Sequence, residues 1–168
     1  MKRHATLSKC ETYRYWLERS WAENGNGFVN FIMLNPSTAD AKIDDATIRK
    51  CIGFAQRWGY DGMHVVNLFA LRSTNPEALY SHADPVGPEN DVFIEASLLS
   101  AEKTIIAWGK HGKIMGRGEQ VLKRLDHRCF ALKFNLDGSP QHPLYVPYDT
   151  ELVPIKPAEK GGGEEVKM

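Results

Sequence analysis

The chain has 168 residues, with 21 Lys and Arg balanced by 21 Asp and Glu. That length fits one domain with a sizeable core. The even charge excludes a protein that coats nucleic acid through a global positive field, but leaves room for local contact with one strand or with a nucleotide. Three cysteines, Cys10, Cys51 and Cys129, with no CxxC pair, exclude a disulfide framework and a zinc ribbon.

Residues 1–10 begin basic, lead into no apolar run, and are expected to be a loose lead-in to a single α/β domain over 11–155. Residues 13–21, YRYWLERSW, are aromatic and imperfectly alternating, which predicts a strand. The ENGNG segment at 23–27 predicts a hairpin turn, and so an antiparallel pairing with the strand that follows. That next stretch, 28–36, FVNFIMLNP, carries apolar residues in both parities, the pattern of a strand buried on both faces, and stops on Asn35-Pro36. Asp44 or Asp45 then caps a helix in which Ile48, Cys51, Ile52, Ala55 and Trp58 share a face, with Gly59 as its stop.

Residues 64–70, HVVNLFA, predict the next strand, and 72–88 a long connection with three prolines. Pro88 followed by Glu89, Asn90 and Asp91 opens a helix whose apolar face is Val92, Phe93, Ala96 and Leu99. Residues 104–108, TIIAW, form a short buried strand, 110–118 a Gly-rich basic loop, 119–125 a short helix and 129–134 the last core strand. A turn-rich loop leads to His142-Pro143-Leu144-Tyr145, and the tail 156–168, with three consecutive glycines, is expected to be disordered.

Strands alternating with helices of this size predict a central, mostly parallel four-stranded sheet with helices on both faces, plus an N-terminal hairpin strand. Right-handed crossovers place the loops after the strands at one edge, where open α/β sheets bind ligands. Asn35, Asn67, Gly109 and His142 each end or follow an apolar run, so they are expected to meet at that edge.

The amide of Asn35 can hold a water or donate to a carbonyl or phosphate, and Ser37 and Thr38 add hydroxyls beside it; Asn-Pro is equally a plain strand terminator. Asn67 interrupts an apolar strand and must bond something, either neighbouring backbone or the edge of a bound base. Trp108-Gly109-Lys110-His111 lies between a strand and a helix, where Lys110, Lys113 and Arg117 can meet a phosphate, although the P-loop spacing is absent. The imidazole of His142 can stabilise charge on a leaving group, or simply be solvated. No spacing calls for a metal or a cofactor.

Over residues 13–145 the chain resembles the domain of unknown function 1643 family, through MLNPSTAD, DDATIR, NLFALR, AWGKHG and HPLY. More distantly it resembles the uracil-DNA glycosylase superfamily. In that superfamily an Asp-Pro or Asn-Pro motif after the first core strand activates water, and LNPS at 34–37 resembles the Asn-Pro version. An Asn in an apolar strand reads the base there, like Asn67 in VVNLFALR. A Trp-Gly strand end precedes a basic loop, like IIAWGKHG, and a His-Pro motif follows the last strand, like His142-Pro143. Ser37 stands where the most active branch has Tyr, and Leu144 where Ser is usual. The resemblance implies Asn35 and His142 as catalytic, with Pro36, Ser37, Thr38, Asn67, Trp108, Gly109, Lys110 and His111 binding base or nucleotide, and Phe54 or Phe69 as candidates to stack on the base. The activity implied is hydrolysis of an N-glycosidic bond without cofactor; the three widely spaced cysteines read as reduced thiols of a cytoplasmic protein. The alternatives are a non-catalytic nucleotide or single-strand binder and an enzyme of free modified nucleotides.

Overall fold

A computed structural model describes residues 1–156. Their order is β1 (Lys2–Leu7), β2 (Arg14–Ser20), β3 (Phe28–Met33), α1 (Ala46–Arg57), β4 (Gly62–Asn67), α2 (Ala78–Ser81), α3 (Asn90–Ser100), β5 (Lys103–Ile106), α4 (Arg117–Leu122), β6 (Cys129–Ala131) and β7 (Val153–Pro154), with single 3-10 segments at Lys110–Gly116 and Pro143–Tyr145. The protein is a single α/β domain on one mixed sheet of seven strands, ordered β1-β2-β4-β3-β5-β6-β7. β3 pairs parallel with β4 and β5, β5 pairs parallel with β6, and antiparallel strands close both sides.

The period of two along the central strands sorts the core. Val29, Phe31, Met33, Met63, Val65 and Ile105 face α1, which buries Ile48, Cys51, Ile52, Phe54 and Ala55 against them. Ile32, Val66 and Ile106 face the opposite layer, where Ile94, Val121 and Leu125 cover them. Asp45 supplies the cap expected of it, its carboxylate accepting from the Ile48 N–H at 2.9 Å.

Three expectations are corrected. Residues 1–10 are not a loose lead-in, because residues 2–7 pair along the whole of β2. Few of their side chains pack, so the strand owes its place to the backbone groups of an otherwise open sheet edge, and its charged residues suit an edge. The hairpin is absent as well, because β4 lies between β2 and β3. Segment 21–27 instead crosses the head of β4 and is held by Asp61: Trp21 and Ala22 donate to its carbonyl, Asn26 donates to its carboxylate, and its own N–H donates to Gly27. Third, Val92 and Leu99 of α3 are exposed, and its buried positions are Asn90, Ile94 and Ser97. The expected tail lies outside the described residues except for Lys156.

The inward face of α3 is polar because the sheet beneath it is polar. Asn30 sits in register with His64 on one side and Thr104 on the other. Its amide nitrogen donates to Ser97 Oγ at 2.9 Å and Thr104 Oγ1 at 3.4 Å, which leaves Oδ1 to accept from His64 Nδ1 at 2.9 Å. Burial pushes the His64 pKa down to about 4 from the usual 6.5. The unfolded chain therefore takes up a proton near pH 6.5 that the folded protein refuses until about pH 4. Stability is complete above that window and falls through it, by roughly 3 kcal/mol. Urea denaturation at pH 7 and pH 4.5 is expected to show this loss in the wild type, and a shallower pH dependence in His64→Asn.

Candidate active site

Because β3, β4 and β5 run parallel, their carboxyl ends open on the same edge, as the sequence predicts for such a sheet. A cleft of about 410 Å³ lies there, within the range of small-molecule sites. It is lined by the end of β3 and the turn after it (Met33 to Ser37), by Asn67 at the end of β4, by residues 108–111 after β5, and by His142. The first turn of α1 contributes Asp45, Thr47 and Ile48.

Asn35 is fixed by backbone. Its Nδ2 donates to the carbonyls of Pro36 at 3.2 Å, Leu71 at 3.2 Å and Ser73 at 3.0 Å. Three acceptors around one end of the amide identify that end as nitrogen. Oδ1 takes no hydrogen bond among the described residues, so the side chain keeps one free acceptor. The same three bonds tie the end of the central strand to the connection after β4, alongside Ser73 N–H donating to Pro36 O.

Asn67 is buried and oriented from behind. Arg14, at the start of β2, donates from Nη2 to Asn67 Oδ1 at 3.3 Å and from Nη1 to Ala39 O at 3.0 Å. Asn90 donates to the Asn67 carbonyl at 2.8 Å, fixing the backbone as well. With Oδ1 held by the guanidinium, Nδ2 is the end that remains to donate into the cleft.

His142 caps the 3-10 turn Pro143–Tyr145, its Nδ1 accepting from Leu144 N–H at 3.2 Å. In the neutral ring the proton is therefore on Nε2. Burial lowers its pKa from the usual 6.5, partly offset by the Asp45 carboxylate. At neutral pH the ring is an uncharged donor.

The turn at Trp108-Gly109 needs two of its glycines. Gly109 has φ +74°, and its N–H donates to Pro140 O at 2.8 Å, joining the loop after β6 to the end of β5. Gly112 lies against the indole of Trp108, where a Cβ would overlap the ring.

Of the expected residues, Asn35, Pro36, Ser37, Asn67, Trp108, Gly109, Lys110, His111 and His142 all line this cleft. Thr38 does not: it is exposed beyond the wall. Arg117 is unavailable to a phosphate because it is buried and bonded to Leu68 O and to Asp91. Lys113 lines a neighbouring cleft. Phe54 and Phe69 are both fully buried in the cores, and neither lines the cleft. The aromatic side chains on the cleft are Trp108 and Tyr145, the latter 78% exposed. Arg14 escaped sequence reading because it lies inside an aromatic strand, where a basic residue reads as a solvated position. Among the described residues no group of three or more His, Cys, Asp or Glu gathers as metal ligands, and no helix is long and apolar enough to cross a membrane.

A family model described as "Protein of unknown function (DUF1643)" matches residues 14–144. No curated protein and no solved structure matches the chain.

The bonding of Asn35 predicts the outcome of its closest isostere. Asn35→Asp replaces an amide donor with a carboxylate facing three carbonyls; Pro36 O keeps the Ser73 N–H, but those of Leu71 and Ser73 lose this donor, which costs about 1–3 kcal/mol. Because the carbonyls disfavour the charged form, the introduced carboxyl has a raised pKa in the folded state. The variant is expected to be less stable than wild type, and more so at pH 8 than at pH 5, by chemical denaturation at both.

Proposed function

The chain belongs to the DUF1643 family, and we propose that its cleft is the active site of a nucleobase-recognising hydrolase, resembling uracil-DNA glycosylases, that acts on the N-glycosidic bond of a base or modified base. The observation that carries the reading is the meeting of Asn35, Asn67 and His142, separated by 32 and 75 positions in the chain, on one cleft.

In this reading Asn35 Oδ1 holds the attacking water, its rigidity supplied by the three carbonyls that anchor its nitrogen. Asn67 Nδ2 donates to an oxygen on the edge of the base. His142 Nε2–H donates to the base as negative charge builds on it and the sugar gains oxocarbenium character. An uncharged imidazole suits this role: the C–N bond breaks with its electron pair going to the base, which the hydrogen bond stabilises, and the proton released as water adds to the sugar ends on the departing base. Tyr145 offers an exposed aromatic face on which a base can stack. The equal counts of acidic and basic residues favour, as a second reading, the same chemistry on a free nucleotide rather than along a DNA strand.

The test is turnover by the purified protein on oligonucleotides and on mononucleosides and mononucleotides carrying uracil, hypoxanthine and modified bases. Release of a base is expected to fall roughly 10²–10⁴-fold in His142→Ala and in Asn35→Ala. Because His142 acts unprotonated and its pKa is lowered, wild-type activity is expected to hold through neutrality and to decline only below pH 6.5. Turnover that is unchanged in both variants contradicts the roles. Salt-dependent binding without turnover on any substrate supports a binding protein instead.

A further inference from the structure

Three arginines are almost wholly buried, and they are not bonded alike. Arg19 uses all of its donors: Nε bonds Asp44, Nη1 bonds the carbonyls of His4 and Glu18, and Nη2 bonds those of Asp40 and Ile43. Arg117 bonds Asp91, Leu68 O and Gln120. Arg14, 2% exposed, makes only the bonds to Ala39 O and Asn67 Oδ1. Its Nε has no partner, and among the described residues no carboxylate lies within ion-pair distance of it. The guanidinium carries five N–H donors, so most of its bonding capacity is unspent.

A buried cation without a counter-ion is costly, and proteins normally pair it. The nearby acid on the cleft wall, Asp45, is occupied in capping α1 through Ile48 N–H. Its field nevertheless reaches Arg14, while burial still lowers the guanidinium pKa to about 10. Arg14 lines the cleft, and beside it Asn67, its oxygen held by the guanidinium, keeps an Nδ2 with no partner among the described residues. The exposed Lys110 lines the same cleft, and so does His111, whose buried Nδ1 is also without a partner. Arg14, Asn67 and Lys110 thus bring donors and positive charge to the cleft, against the Asp45 carboxylate and the Asn35 oxygen on its wall, and the side-chain oxygen of Asn67 is taken by the arginine itself.

We infer that Arg14 makes the floor of this cleft an oxyanion site, so that the preferred ligand carries a carboxylate or a phosphate in addition to its base. The fork of a guanidinium bonds both groups in the plane, which a neutral carbonyl edge cannot match. The inference rests on the nucleobase reading of the same cleft and narrows it: the substrate is either a base bearing a carboxylate or a nucleotide whose phosphate reaches the floor.

Affinities measured by calorimetry at constant ionic strength test it, using pairs that differ only in the anion. Orotate is compared with uracil, and thymidine 5′-monophosphate with thymidine. Charge-assisted hydrogen bonds predict that at least one anionic member binds about 10- to 100-fold more tightly than its neutral partner. A preference confined to the orotate pair assigns the carboxylate, and one confined to the nucleotide pair assigns the phosphate. Arg14→Gln, checked for folding by circular dichroism, is expected to abolish the preference. Should that variant fail to fold, Arg14→Lys keeps the charge without the fork and is expected to reduce it. Equal affinities within both pairs, a preference that survives in a folded Arg14→Gln, or no binding by any of the four compounds overturns the inference. Orotate has no scissile glycosidic bond, so a preference for it stands whether or not the protein turns over any nucleoside. Measurable but equal binding within both pairs leaves the nucleobase reading intact while removing this one.

Discussion

The end of the central strand is the constraint on which the site depends. A parallel strand buried on both faces must stop somewhere, and where it stops its neighbours' carbonyls lose their ladder partners. Pro36 ends β3 and brings no donor of its own. Asn35 answers for the carbonyls of Leu71 and Ser73 with a single amide nitrogen, which also lies against that of Pro36, itself bonded by the Ser73 N–H. The side chain that closes the strand is thereby immobilised, with one oxygen left over at the edge where the cleft lies. Structural necessity and a candidate chemical group coincide in one residue.

The fold contains two buried polar systems of opposite character. The ladder from His64 through Asn30 to Thr104 and Ser97 is closed: donors meet acceptors under α3, and the histidine is kept neutral by burial. Such a network specifies the register of helix on sheet. The system at the end of β4 is open. Asn67 and Arg14 bond each other, yet the guanidinium retains spare donors and the amide keeps its nitrogen free at a cleft wall. Polar groups left incomplete in a native protein ask for an explanation, and a ligand that completes them is the simplest one.

Much of this was legible in the sequence, for physical reasons that also mark where legibility ends. The apolar run before Asn35-Pro36 and the capped, periodic helix that begins near Asp45 are local patterns, and they form as read. The meeting of Asn35, Asn67 and His142 followed from the βα alternation alone. Strand order was not legible: the Asn-Gly steps at 23–27 signal a turn, but only the tertiary bonds to Asp61 decide that the chain passes over β4 rather than folding back. Val92 and Leu99 carry an apolar pattern yet are exposed, because the sheet below α3 presents His64, Asn30 and Thr104 to its inward face. Arg14 was invisible because its importance lies in a bond it does not make.

The central claim is that Asn67 and His142 face one bound ligand while Asn35 is held rigidly by backbone beside it. Side-chain NMR of the amide and imidazole groups during titration with a free nucleobase ligand tests this directly. The Asn67 Nδ2 protons and the His142 ring are predicted to shift together along one binding curve, while the Asn35 Nδ2 protons stay protected from exchange throughout. Shifts confined to the neighbouring cleft near Phe134, with Asn67 and His142 unmoved, would contradict it.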